Sequence, residues 1–165
     1  MSALAQTLSM RTRDGVRLDA DVYFPDAPGP HPVLLMRQPY GRRIASTVCY
    51  AHPAWYAAHG YIVVIQDVRG RGSSEGEFQL FVREADDGAD AVAWAASLPG
   101  ADGSVGMYGF SYQGLTQLLA AAEQPDGLVC IAPGMTACDL YRGWFYRNGA
   151  YTRELTVGAE EEIAK

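Results

Sequence analysis

Lysine is almost absent from this sequence: Lys165 is the only one among 13 basic residues, a bias that points to genome composition more than to function. Basic charge is short overall, with 13 Lys and Arg against 19 Asp and Glu, a formal net of -6. The arginines are scattered rather than gathered on one stretch, so a nucleic-acid partner is disfavoured. Long apolar runs are also missing. The longest resemble Tyr61 to Ile65, far below the roughly 18 residues of a membrane span, and no membrane association is expected. The opening M-S-A-L-A-Q-T-L-S-M has neither a basic leader nor an apolar block, so no signal peptide is expected. Cys49, Cys130 and Cys138 are odd in number and lack C-x-x-C spacing, which excludes a disulfide framework and a zinc site. They read as buried free thiols in a reducing cytoplasm. What is present suffices for a core: 165 residues, 48% apolar and 11% aromatic, the size of one ordinary domain.

Val16, Leu18, Ala20, Val22 and Phe24 alternate at period two, and Met10 to Pro25 reads as a hairpin centred on Asp14-Gly15. A connection rich in proline follows. Pro32 to Arg37 and Tyr61 to Gln66 are then apolar on both faces, as buried strands require. Between them, Cys49 to Gly60 suits a short helix closed by Gly60. From Arg83 to Leu98 the apolar positions Ala85, Ala89, Val92, Ala93 and Ala96 recur at helical spacing, with Glu84, Asp86 and Asp87 in the first turn, where the helix dipole favours acids. Gly103 to Gly109 reads as a third strand, Leu115 to Glu123 as a helix and Leu128 to Ala132 as a fourth strand. Strands alternating with helices over short connections imply a mostly parallel sheet, covered by helices on both sides and led by an antiparallel hairpin. From Asp139 onward the alternation stops, and a boundary is placed there.

Gly109 to Gly114, G-F-S-Y-Q-G, joins the end of a strand to the start of a helix. In that context it reads as a nucleophile elbow, a tight turn that presents the Ser111 hydroxyl at the strand's carboxyl end. An ordinary helix N-cap serine satisfies the same letters. Gln113 stands where the commoner elbow has its second glycine, which here comes one residue later. Acyl transfer also needs two donors aimed at an oxyanion. The backbone N–H of Tyr112 is one. The loop after the first buried strand supplies the other in this architecture, but in R-Q-P-Y-G, Arg37 to Gly41, Pro39 has no N–H to give. The Tyr40 hydroxyl is the substitute, although Pro-Tyr-Gly alone reads equally as a turn.

Five blocks then occur in an order that resembles a known family: D-G-V-R-L-D-A-D-V-Y-F-P, P-V-L-L-M-R-Q-P-Y-G, G-Y-I-V-V-I-Q-D-V-R-G-R-G-S-S-E-G-E-F, D-G-S-V-G-M-Y-G-F-S-Y-Q-G and A-P-G-M-T-A-C-D-L-Y-R. They are similar to bacterial serine hydrolases of the cocaine esterase group, which includes X-prolyl dipeptidyl peptidases, α-amino acid ester hydrolases and β-lactam acylases. The likeness runs from about Met10 to Tyr151. It implies an α/β-hydrolase core, Ser111 as nucleophile, Tyr40 and Tyr112 as the oxyanion-hole residues, a small ester or amide substrate, and no metal or organic cofactor. The shifted Gly114 agrees with the family pattern. The resemblance also implies that residues 1–138 are the N-terminal part of the catalytic domain and that 139–165 begin a helical cap. The acid, the histidine, the rest of the cap and a β-sandwich domain would lie elsewhere, in missing sequence or in a complementing chain.

The loop G-R-G-S-S-E-G superficially suits a dinucleotide, but its third glycine comes one residue late and no helix opens there. It is expected to be structural, with Asp67 and Arg69 paired. Finally, His31, His52 and His59 all precede Ser111, whereas this fold orders its triad as serine, acid, histidine. None is expected to be the base. A chain without its base fits a silent fragment or a pseudoenzyme that associates through its fold as well as it fits part of a hydrolase. An unpaired fourth strand would leave an apolar edge, so a homo-oligomer is a further expectation.

Overall fold

The computed structural model describes residues 5–43 and 50–152. Six strands form one sheet: β1 (Gln6–Arg11), β2 (Arg17–Tyr23), β3 (His31–Gln38), β4 (Ile62–Asp67), β5 (Ala101–Phe110) and β6 (Leu128–Gly134), in spatial order β1-β2-β4-β3-β5-β6. The hairpin β1–β2 is antiparallel and joins β4 antiparallel, while β4, β3, β5 and β6 run parallel. This is the mostly parallel α/β-hydrolase arrangement with its N-terminal antiparallel hairpin. The hairpin extends back to Gln6, beyond the apolar face that marks it in the sequence, because Thr7 and Ser9 each donate a hydroxyl hydrogen bond to the next strand, to Asp21 and Asp19.

Helix α1 (Pro53–Ala58) covers one face, and α2 (Glu84–Ala96) with α3 (Tyr112–Ala122) cover the other. The two-sided strands behave as their composition demands. In β4, Ile62 and Val64 join the core under α2 and α3, whereas Val63 and Ile65 join Met36, Ala57 and Tyr108 under α1. Helix α3 begins three residues before its apolar pattern does, at Tyr112, so that it follows Ser111 directly. Beyond β6, Leu140–Phe145 form a turn of π-helix and Tyr146–Arg147 pairs with Ala150–Tyr151 as a small separate ribbon. Cys49 lies outside the described residues. Cys130 and Cys138 are free but exposed, not buried: Cys130 sits on β6, which among the described residues pairs only with β5 and leaves much of its surface uncovered.

Candidate active site

Parallel β5 and β3 deliver their carboxyl ends to the same edge of the sheet, and α3 starts there. Ser111 occupies the turn between β5 and α3 with φ +61° and ψ -117°, a conformation that costs a non-glycine residue on the order of 1–3 kcal/mol. The surrounding main chain enforces it. Ser111 N donates to Gly134 O at 2.9 Å, and Ser111 O accepts from Gly114 N at 2.9 Å and Leu115 N at 3.1 Å. Although Ser111 stands at the N-cap position, its side chain makes no capping hydrogen bond. The N-cap reading therefore fails.

The unusual spacing G-x-S-x-x-G has a steric cause. The Gln113 side chain folds back so that its Oε1 accepts from Phe110 N at 3.0 Å, and a Cβ on Gly109 would overlap the Gln113 Cβ. A Cβ on Gly114 would come within 3.0 Å of Gly134 O and 2.9 Å of the Thr136 Cβ, where the chain leaving β6 crosses the elbow. Gln117 ties the same elements together: its Nε2 donates to Gly109 O (3.3 Å) and Gln113 O (2.9 Å), and its Oε1 accepts from Ala132 N (2.9 Å).

Tyr112 N–H opens α3, where no preceding turn offers a carbonyl to receive it. The Tyr112 ring is buried. Its hydroxyl donates to Glu84 Oε1 at 2.8 Å, and Glu84 in turn pairs with Arg37 at 2.8 Å, both buried. Burial, followed by the Glu84 charge, holds the Tyr112 phenol far above its ordinary pKa, so it stays a neutral donor. The Tyr40 ring lies edge-on to Tyr112 with centroids 6.4 Å apart, and Tyr40 is 39% exposed. The sheet thus gathers Ser111, Tyr112 and Tyr40 at one end.

The histidines go elsewhere. His31 contacts Gly60 O and Ala27 O, each at 3.0 Å, at the amino ends of β3 and β4. His59 binds Trp55 O at 2.7 Å. The Nδ1 of His52 accepts from Ala54 N to cap α1, and its ring packs edge-on against Tyr23, which pairs with Val63 near the start of β4.

The expected Asp67–Arg69 pair does not form. A turn after Val68 (Arg71 N to Val68 O, 3.1 Å) separates the two side chains. Asp67 stays at the end of β4 and binds Arg42 at 2.6 Å, while Arg69 is carried to Asp87 (2.7 Å) and Asp14 (2.9 Å). Burial pushes the Asp67 carboxyl upward, and the Arg42 guanidinium opposes that push. The acids opening α2 do more than meet a helix dipole: Glu84 and Asp87 are buried ion-pair partners, and Asp86 pairs with Arg13 at 2.9 Å. Sequence reasoning missed Arg37, Arg42 and Glu84. An arginine closing an apolar two-sided strand was the available signal for the first, because a charge there needs a buried partner. Among the described residues no group of three His, Cys, Asp or Glu is placed to hold a metal ion.

Comparison with known proteins identifies the family and the fold. The sequence profile of the X-Pro dipeptidyl-peptidase (S15 family) matches residues 14–164. The chain belongs to this family. It is 43% identical over 159 residues to the cocaine esterase of Rhodococcus sp. (strain MB1 Bresler), covering 94% of this chain and 28% of the esterase. A putative serine esterase of Mycobacterium tuberculosis (strain CDC 1551 / Oshkosh) is 32% identical over 61% of this chain and 16% of its own. An α-amino acid ester hydrolase superposes with TM-score 0.75 at 27% identity, over 86% of this chain and 26% of that one. A CocE/NonD family hydrolase from Staphylococcus aureus shares the fold with TM-score 0.85 at 24% identity, over 96% of this chain and 32% of its own. The chain spans less than a third of the length of these curated relatives. Members of the X-Pro dipeptidyl-peptidase family are serine hydrolases, and the α/β-hydrolase fold expected from the sequence is the one observed.

Proposed function

We propose that this chain carries the nucleophile and the oxyanion-binding groups of a serine hydrolase that cleaves an ester or amide through an acyl-enzyme on Ser111. The observation that carries the reading is the backbone of Ser111, held at positive φ with its hydroxyl unused by the helix it precedes. In the reaction Ser111 Oγ attacks the carbonyl carbon. The carbonyl π electrons move onto oxygen, and Tyr112 N–H and the Tyr40 hydroxyl stabilise the charge. Collapse expels the alcohol or amine, and water then releases the acid. The base that takes the Ser111 proton is a histidine paired with an acid, supplied from outside residues 1–165, since His31, His52 and His59 serve structural ends elsewhere. This chemistry draws on no metal or organic cofactor.

An ester is the first substrate to try, because relatives at 43% and 32% identity are named esterases. Residues 139–165 are read as the start of the cap, and a reducing, cytoplasmic location suits the free thiols Cys130 and Cys138. The same histidine placement favours one second reading, a catalytically silent chain retained for association. The two separate on labelling. With the histidine-bearing portion present, a fluorophosphonate should modify the peptide containing Ser111, and Ser111→Ala should abolish both labelling and p-nitrophenyl acetate hydrolysis. Unlabelled Ser111 in that assembly defeats the hydrolase reading.

A further inference from the structure

The glycine-rich loop from Asp67 to Gly76 grips the chain on both sides of Tyr40. On the far side, Asp67 Oδ1 accepts from the Arg42 main-chain N–H at 2.8 Å and Asp67 Oδ2 from Arg42 Nη1 at 2.6 Å. The Arg42 guanidinium also donates to Asp21 Oδ1 (2.9 Å) and to Ser73 Oγ (3.0 Å). On the near side, Arg71 Nε donates to Pro39 O at 2.9 Å, and Val68 N donates to Gln38 O at 3.1 Å. Gln38, Pro39 and Arg42 are all anchored to one loop, with Tyr40 between them. Asp67 is 1% exposed, so water cannot replace Arg42 as its partner. The loop can close over that carboxylate only because residue 72 is glycine: with φ +58°, a Cβ there would overlap the Asp67 carboxylate.

We propose that Asp67, acting through Arg42, and Arg71, acting through the Pro39 carbonyl, are positioning residues for the Tyr40 phenol, an inference that rests on Tyr40 being an oxyanion donor. A donor displaced by an ångström stabilises the transition state poorly while leaving ground-state binding almost unchanged. The dinucleotide-like spacing of the glycines has separate steric causes: Gly72 clears the Asp67 carboxylate, Gly70 the main chain at Glu77 and Phe78, and Gly76 the Arg69 side chain.

The test is p-nitrophenyl acetate hydrolysis by the enzyme assembled with its histidine-bearing portion. Tyr40→Phe should lower kcat by about 10²- to 10³-fold, the loss expected for one oxyanion donor. Asp67→Asn keeps an acceptor for the Arg42 amide but removes the ion pair, and should lower kcat by about 10- to 100-fold with KM within about twofold. In the Tyr40→Phe background the same change should cost nothing further, because no phenol remains to be placed. Should Asp67→Asn fail to fold, Arg71→Met allows the same comparison at a partly buried site, with Arg71→Lys restoring most of kcat. Equal losses in both backgrounds, or unchanged kcat in both Asp67→Asn and Arg71→Met, overturn the positioning role alone. Unchanged kcat in Tyr40→Phe instead removes the oxyanion role of Tyr40, and the inference with it.

Discussion

Tyr112 is held at two points, its amide opening α3 and its phenol donating to Glu84 inside the core. Tyr112→Phe removes only the second. The Glu84 carboxylate keeps Arg37 but loses a buried donor, for which about 1–3 kcal/mol of stability should disappear. The amide remains, so ester hydrolysis by the folded variant should stay within about tenfold of the parent. Urea melts and initial rates at a temperature where both are folded check the pair of outcomes. A second residue-scale expectation concerns acid. The Arg69 hydrogen bond, then that of Thr12, holds the Asp14 carboxyl well below the usual carboxylate range. Because the folded-state value is depressed, the stabilisation is complete above about pH 4, the unfolded value, and is lost as pH falls towards the folded one. Arg69→Gln should therefore flatten the fall in urea midpoint below about pH 4, measured against the parent protein.

At the scale of elements, α2 and α3 meet at Gly88. A Cβ there would lie 2.7 Å from the Ala120 Cβ and 3.3 Å from Arg37 Nη1. Gly88→Ala raises intrinsic helix propensity by about 1 kcal/mol, but it must push the helices apart beside a buried ion pair, and overpacking costs about 1–3 kcal/mol. Net destabilisation is expected in thermal unfolding; a higher Tm would show that the helices yield freely. Most elements were legible because their period was clean: Leu18, Ala20 and Val22 on one face of β2, or Val63 and Ile65 opposed to Ile62 and Val64 in β4. Helix α3 was placed three residues late because Tyr112, Gln113 and Gly114 have no amphipathic pattern. They are helical because the elbow turns the chain there. The Asp67 and Arg69 partners were illegible for a related reason. Side chains two residues apart look paired on paper, and only the turn at Val68 shows that they diverge.

At the scale of the whole molecule, the placing of Ser111, Tyr112 and Tyr40 at one end of the sheet was legible, since parallel strands deliver their carboxyl ends together; the roles given to them rest on the family resemblance. The supports behind them were not, because Arg37–Glu84 and Arg42–Asp67 join positions 47 and 25 residues apart with no motif linking them. The sheet also predicts association. Among the described residues strand β6 has an unpaired flank, beside a groove lined by Ala121, Pro125, Leu128, Val129 and Ile131, with Val129 66% exposed. Sedimentation of the 165-residue product should show oligomers or aggregates that disappear when a complementing portion is co-expressed. A monodisperse monomer of the isolated product contradicts that expectation.

The tether between Ser111 N and Gly134 O gives this flank a reach beyond solubility. Gly134 is the last residue of the strand whose outer side is unpaired among the described residues, and Gln117 clasps Ala132 just before it. Displacing the end of this border strand would therefore carry away the carbonyl that keeps the Ser111 amide in place.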